Sequence, residues 1–101
     1  KKARGQFPKA AFFTDYRELF DKAHKTFDAV VVSTPDHTHA HPSCLAMSLG
    51  KHVYCEKPMA ETVAEVRAMR ALAAKSKVVT QMGTQIHAGE NYRRVVEIVQ
   101  S

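Results

Sequence analysis

The sequence predicts an α/β fold built on a doubly wound parallel sheet, with helices on both faces. Two observations carry that prediction. Short runs at Asp28–Ser33, which is continuously apolar and rich in β-branched residues, at Lys51–Cys55 and at Lys77–Met82 have the character of buried strands. Single amphipathic helical patterns lie between them, and crossovers of roughly twenty residues are the spacing of repeated βαβ units.

The elements follow in order. An apolar patch at Ala10–Phe13 precedes Thr14 and Asp15, either of which can cap a helix. Glu18, three residues past Asp15, completes a capping-box pattern. Tyr16, Leu19, Phe20 and Ala23 then form an amphipathic stripe at helical spacing. Asp28–Ser33 is the first strand, and Pro35 ends it. Thr38–Leu49 reads as a helix closed by Gly50. Lys51–Cys55 is the second strand, followed by Glu56-Lys57-Pro58. Thr62 opens the next helix, with Glu65 completing a capping box and Val63, Val66, Met69 and Ala73 on one face. Lys77–Met82 is the third strand, and after Gly83 a last helix carries Tyr92, Val95, Val96 and Val99 at helical spacing. Val30, Val31, Val32, Val53, Val78 and Val79 are expected to be buried in one sheet, with the first two strands adjacent and parallel.

Composition excludes several classes. The chain has 101 residues, with 15 Lys or Arg against 10 Asp or Glu, a formal charge of +5. That excess does not mark a nucleic-acid partner. Only Lys1, Lys2 and Arg4 cluster, and elsewhere basic and acidic residues alternate along solvated faces with no aromatic platform beside them. Hydrophobic residues make up 45% of the chain, enough for a packed core and too many for disorder. No apolar run approaches the roughly 18 residues of a spanning helix, so no membrane segment is expected. Cys44 and Cys55 lack C-x-x-C spacing and read as free buried thiols, which suits a cytoplasmic protein. The chain begins without Met, and its helical pattern runs to Ser101 without a stop signal. Both points suggest a piece of a longer protein, whose earlier residues would carry any signal for export in folded form.

In parallel sheets ligands bind outside the carboxyl ends of the strands. Three segments occupy those ends: Ser33-Thr34-Pro35-Asp36-His37, Glu56-Lys57-Pro58 and Gly83-Thr84-Gln85. His37, His39 and His41 alternate in the first of them and its continuation, but they do not make a metal site. On a helix, alternate positions lie about 200° apart, so the three rings cannot converge. His39 and His41 are expected to be partly exposed on the first helical turn. His37 sits in the loop itself, where it either hydrogen-bonds a ligand or caps the turn. Lys57 follows a buried strand directly, an awkward place for a charge unless the strand end opens on a cleft. Pro58 restricts the residue before it and so sets the direction in which Lys57 leaves the sheet. Desolvation beside a cationic ring would suit such a lysine to proton transfer; a surface lysine on a turn is the alternative.

The runs Asp28-Ala-Val-Val-Val-Ser-Thr-Pro-Asp-His-Thr-His and Leu49-Gly-Lys-His-Val-Tyr-Cys-Glu-Lys-Pro-Met closely resemble the glucose–fructose oxidoreductase/inositol dehydrogenase (GFO/IDH/MocA) family. The resemblance extends from about Phe12 through Gly83-Thr84-Gln85 into the last helix. It implies that residues 1–84 are the later part of an NAD(P)-binding Rossmann domain. Residues 85–101 would begin an α/β substrate domain that is largely absent. By the same resemblance Ser33, Thr34 and Pro35 run under the cofactor ribose and pyrophosphate, and His37 lies near the nicotinamide. Glu56 and Lys57 match the family's pair at the nicotinamide ribose, with Lys57 the catalytic lysine that reaches both cofactor and substrate hydroxyl. The resemblance also places Gln85 close to the nicotinamide. The implied activity is NAD- or NADP-dependent hydride transfer to or from the hydroxyl-bearing carbon of a sugar or polyol. The full-length enzyme would be a homo-oligomer. NAD-using glycosidases or lyases and non-catalytic cofactor-binding sensors of the same family are the rival readings. No G-x-G-x-x-G is present, so this stretch alone is expected to be inactive.

Overall fold

A computed structural model describes residues 5–101; the basic cluster Lys1, Lys2 and Arg4 lies outside the described residues. The elements are α1 (Tyr16–Ala23), β1 (Ala29–Val32), α2 (Ala40–Ser48), β2 (His52–Glu56), α3 (Val63–Ser76), β3 (Thr80–Gly83) and α4 (Glu90–Gln100). Short 3₁₀ turns at Asp36–Thr38 and Gln85–Ala88 follow β1 and β3. The three strands form one parallel sheet in the order β1-β2-β3, with Val30 beside Val53 and Val53 beside Thr80. The expected parallel pairing of the first two strands is present.

Local chemistry explains most boundaries. Asp15 caps α1 by accepting the Arg17 N–H at 2.9 Å, and the Arg17 guanidinium grips the same carboxylate. Those bonds hold the Asp15 carboxyl down to about 2. Glu18 faces Lys22 at 3.5 Å, so the capping box expected there is replaced by two local ion pairs. At α3 the box is complete: Thr62 Oγ1 accepts the Glu65 N–H, and Glu65 Oε2 accepts the Thr62 N–H at 2.9 Å. Gly50, just past the Leu49 C-cap of α2, adopts φ +72°, the left-handed geometry that glycine takes without a steric cost.

The core lies between the sheet and the helix pair α2–α3. Phe20, Val32, Ala46, Met47, Val53, Cys55, Ala60 and Met69 are buried there, and Phe20 meets Phe27 edge to face at 5.9 Å. Val30, Val32, Val53, Cys55 and Met82 point into this layer. Val31 and Val79 do not: they are 68% and 69% exposed, against expectation. The reason is winding. The strand order never reverses, so successive crossovers of one hand place their helices on the same face. Helices on both faces need a reversal of strand order, which these three strands lack. Among the described residues, α2 and α3 pack on each other over one face, and α1 packs on α2. The apolar stripe of α4 is likewise open, since α4 packs on the Gln85–Ala88 turn and Val95 and Val99 remain exposed. None of the described helices is long and apolar enough to cross a membrane.

Candidate functional site

The ladder between β1 and β2 ends at Val32–Cys55, and that between β2 and β3 ends at Glu56–Gly83. Ser33, Glu56 and Gly83 therefore form the next row across the carboxyl edge of the sheet. Thr34, Lys57 and Thr84 stand one step further out, and Pro35, His37 and Gln85 occupy the turns beyond. The topology thus gathers Ser33, Thr34, Pro35, His37, Glu56, Lys57 and Gln85 along one edge.

Glu56 and Gly83 meet closely. A Cβ added to Gly83 would lie 2.6 Å from Glu56 Oε2 and 2.9 Å from Tyr54 Oη. The carboxylate of Glu56 therefore lies across the bare Cα of Gly83, on the sheet face that α2 and α3 leave open. Lys57 is exposed, forms no ion pair among the described residues, and is joined to Pro58 by a cis peptide bond. An unpaired carboxylate and an unpaired ammonium in adjacent positions offer acceptor and donor groups to a polyhydroxylated ligand.

The histidines divide differently from expectation. His39 is not a partly exposed first-turn residue: it is 2% exposed and lies beneath the edge. Its Nδ1 is 2.7 Å from the Pro58 carbonyl oxygen, and its Nε2 is 2.7 Å from that of Thr34. Ser43, also fully buried, donates its hydroxyl to the His39 carbonyl at 2.7 Å. A signal for this was present, because His39, Ser43, Ala46 and Met47 fall on one helical stripe. His37 is exposed, and its Nδ1 stands 3.6 Å from the Asp36 carboxylate beside it. His41 is exposed and shares a 2.6 Å hydrogen bond with Tyr16 that ties α1 to α2. His52 Nδ1 accepts the Val79 N–H at 3.0 Å. Among the described residues, no group of three or more His, Cys, Asp or Glu is placed to hold a metal ion. Cys44 and Cys55 are free, but only Cys55 is buried and Cys44 is half-buried, against expectation; desolvation still pushes both thiols up, which makes them poor nucleophiles at neutral pH.

Comparison with known proteins bears on the fold and the family. The family model described as an oxidoreductase family with an NAD-binding Rossmann fold matches residues 1–84. Levoglucosan dehydrogenase of Pseudarthrobacter phenanthrenivorans is 37% identical over 81 residues, covering 80% of this chain and 19% of that protein. The NADP(+)-dependent scyllo-inositol 2-dehydrogenase of Bacillus subtilis is 39% identical over 67 residues, covering 66% of this chain and 20% of that protein. Among solved structures, myo-inositol 2-dehydrogenase from Lactobacillus plantarum superposes with a TM-score of 0.86 at 25% identity, over 97% of this chain and 29% of that one. The chain thus spans about a fifth of the length of these two curated relatives. By that match over residues 1–84, the chain belongs to the GFO/IDH/MocA oxidoreductase family with its NAD-binding Rossmann fold.

Proposed function

We propose that this chain forms the nicotinamide side of the cofactor site in a longer NAD(P)-dependent oxidoreductase acting on a sugar, polyol or related hydroxylated compound. The single observation that carries the proposal is the row Ser33, Glu56 and Gly83 with Lys57 beside it, on one open sheet edge. The residues present fit this half of a dinucleotide. Gly83 leaves room for the Glu56 carboxylate to lie flat at the edge, where it would accept hydrogen bonds from ribose hydroxyls. Ser33 and Thr34 would line the path of the ribose and pyrophosphate, with Pro35, His37 and Gln85 around the ring end.

A nicotinamide bound there supplies hydride transfer to or from a carbinol carbon. Lys57 would donate a hydrogen bond to the reacting hydroxyl oxygen and share its proton. This chain leaves the Lys57 ammonium exposed, so the water exclusion that favours such transfer would come from cofactor, substrate and the rest of the protein. The family match ends at residue 84, which supports reading 85–101 as the start of a substrate domain. The sugar and inositol dehydrogenases among the relatives support the substrate class, and the two free thiols support a cytoplasmic enzyme. The resemblance to the family supports a homo-oligomer.

The test is a fluorescence titration of the full-length protein with NADH and NADPH, followed by turnover on a panel of inositols and sugars. Saturable binding of one nucleotide, with reduction of NAD(P)+ by at least one polyol, is expected. A full-length protein that binds neither nucleotide overturns the proposal.

A further inference from the structure

Beyond the last ladder pair, the loops after β1 and β2 are no longer joined by backbone hydrogen bonds. Among the described residues one side chain hydrogen-bonds both: His39, through Thr34 O at Nε2 and Pro58 O at Nδ1, each at 2.7 Å. Thr34 neighbours Ser33 and Pro35 on the cofactor path. Pro58 follows Lys57 directly. We propose that His39 is a positioning residue that holds the two halves of the site separately, the cofactor loop through Nε2 and the Lys57 loop through Nδ1.

Three features support this division. The ring is 2% exposed, so water does not substitute for either bond. His39 is itself anchored, its N–H donating to Asp36 O at 3.1 Å and its carbonyl accepting from the Ser43 hydroxyl. Carbonyl oxygens only accept, so the doubly protonated ring donates to both loops at once and each neutral tautomer to one. A group that fixes both loops from beneath acts on the chemistry without touching a ligand. Misplacement by about 1 Å at a reacting centre costs on the order of 100-fold in rate.

The inference deepens the proposed oxidoreductase reading and rests on it for its kinetic arm. An asparagine amide nitrogen falls near the place of Nδ1, and a glutamine amide nitrogen near that of Nε2. In the full-length enzyme, His39→Gln keeps the Thr34 contact and loses the Pro58 contact. It should lower kcat on the order of 10–100-fold while KM for the nucleotide stays within a few-fold. His39→Asn should do the reverse, raising nucleotide KM about 10-fold or more with a smaller loss of kcat. Equal effects of both variants on both parameters overturn the proposal. Amide exchange, read by mass spectrometry, needs no activity. His39→Phe keeps a buried ring without donors and should speed exchange in residues 33–38 and 57–62 together, with α3 beyond its first turn unchanged. If His39→Phe does not fold, His39→Gln should loosen 57–62 alone and His39→Asn 33–38 alone. Unchanged exchange in the loop that lost its contact overturns the clasp. Should the wild-type protein bind no nucleotide, the oxidoreductase reading fails while the exchange result still decides the role of His39.

Discussion

Gly83 shows how one hydrogen in place of a side chain can shape a site. The nearest obstacle to a methyl there is the end of a flexible glutamate, 2.6 Å away, with the Tyr54 hydroxyl next. Gly83→Ala therefore costs the fold little but displaces the carboxylate from its place at the sheet edge. Hydrogen bonds to a charged group contribute about 1.5–3 kcal/mol, so nucleotide affinity should fall about 10-fold or more in the full-length protein. Unchanged affinity in a fluorescence titration would remove Glu56 from the site. The need for glycine at this position was not legible in the sequence, because it arises from cross-strand register with Glu56 rather than from a turn. His39 departs from expectation for a related reason. The alternate spacing of the histidines does not set their burial, which follows the helical stripe through Ser43 and Ala46. The places of Glu56 and Lys57 at the carboxyl end of β2 were legible because the apolar run before them and Pro58 after them mark the strand end without reference to any distant residue.

Among elements, α3 has the clearest sequence-encoded start. Thr62 and Glu65 satisfy each other's backbone N–H groups, as their three-residue spacing predicts. Thr62→Ala removes one side of the box and should destabilise the protein by about 1 kcal/mol in urea unfolding. A change below about 0.3 kcal/mol would mean that packing of Val66 and Met69 alone sets this boundary. The α1 start shows the limit of the same reasoning. Asp15 and Glu18 have the same spacing, but Arg17 and Lys22 offer each carboxylate a charged partner that the pattern does not weigh. The first strand was legible from its β-branched content and the other two from their places between helical patterns, and strand pairing followed from short crossovers. Which valines become buried was not, because that depends on which face each crossover helix covers, a property of strand order rather than of any single strand.

At the scale of the whole molecule, the chain is extended rather than compact. Its radius of gyration is 16.3 Å, against the roughly 13 Å of a compact domain of about 100 residues. Val31 and Val79 on the open sheet face and Val95, Ile98 and Val99 on α4 are exposed. Exposed apolar surface of this kind favours association. The isolated 101-residue chain should bind a hydrophobic dye and elute from size exclusion as more than a monomer; a dye-silent monomer would contradict this. Fold class was legible at this scale from the alternation of elements alone, while the functional reading needed the specific combination of Glu56-Lys57-Pro58 with the loop after β1. The central claim is that Lys57 shares the proton of a reacting hydroxyl at this edge. Its most direct test is steady-state turnover of the folded full-length Lys57→Ala and Lys57→Arg enzymes with a substrate of the wild type. General acid–base assistance is worth about 10²–10⁴-fold, and a guanidinium does not release its proton near neutral pH. Both variants should therefore lose activity in that range while still binding NAD(P)H, whereas near-normal turnover of Lys57→Ala would contradict the account.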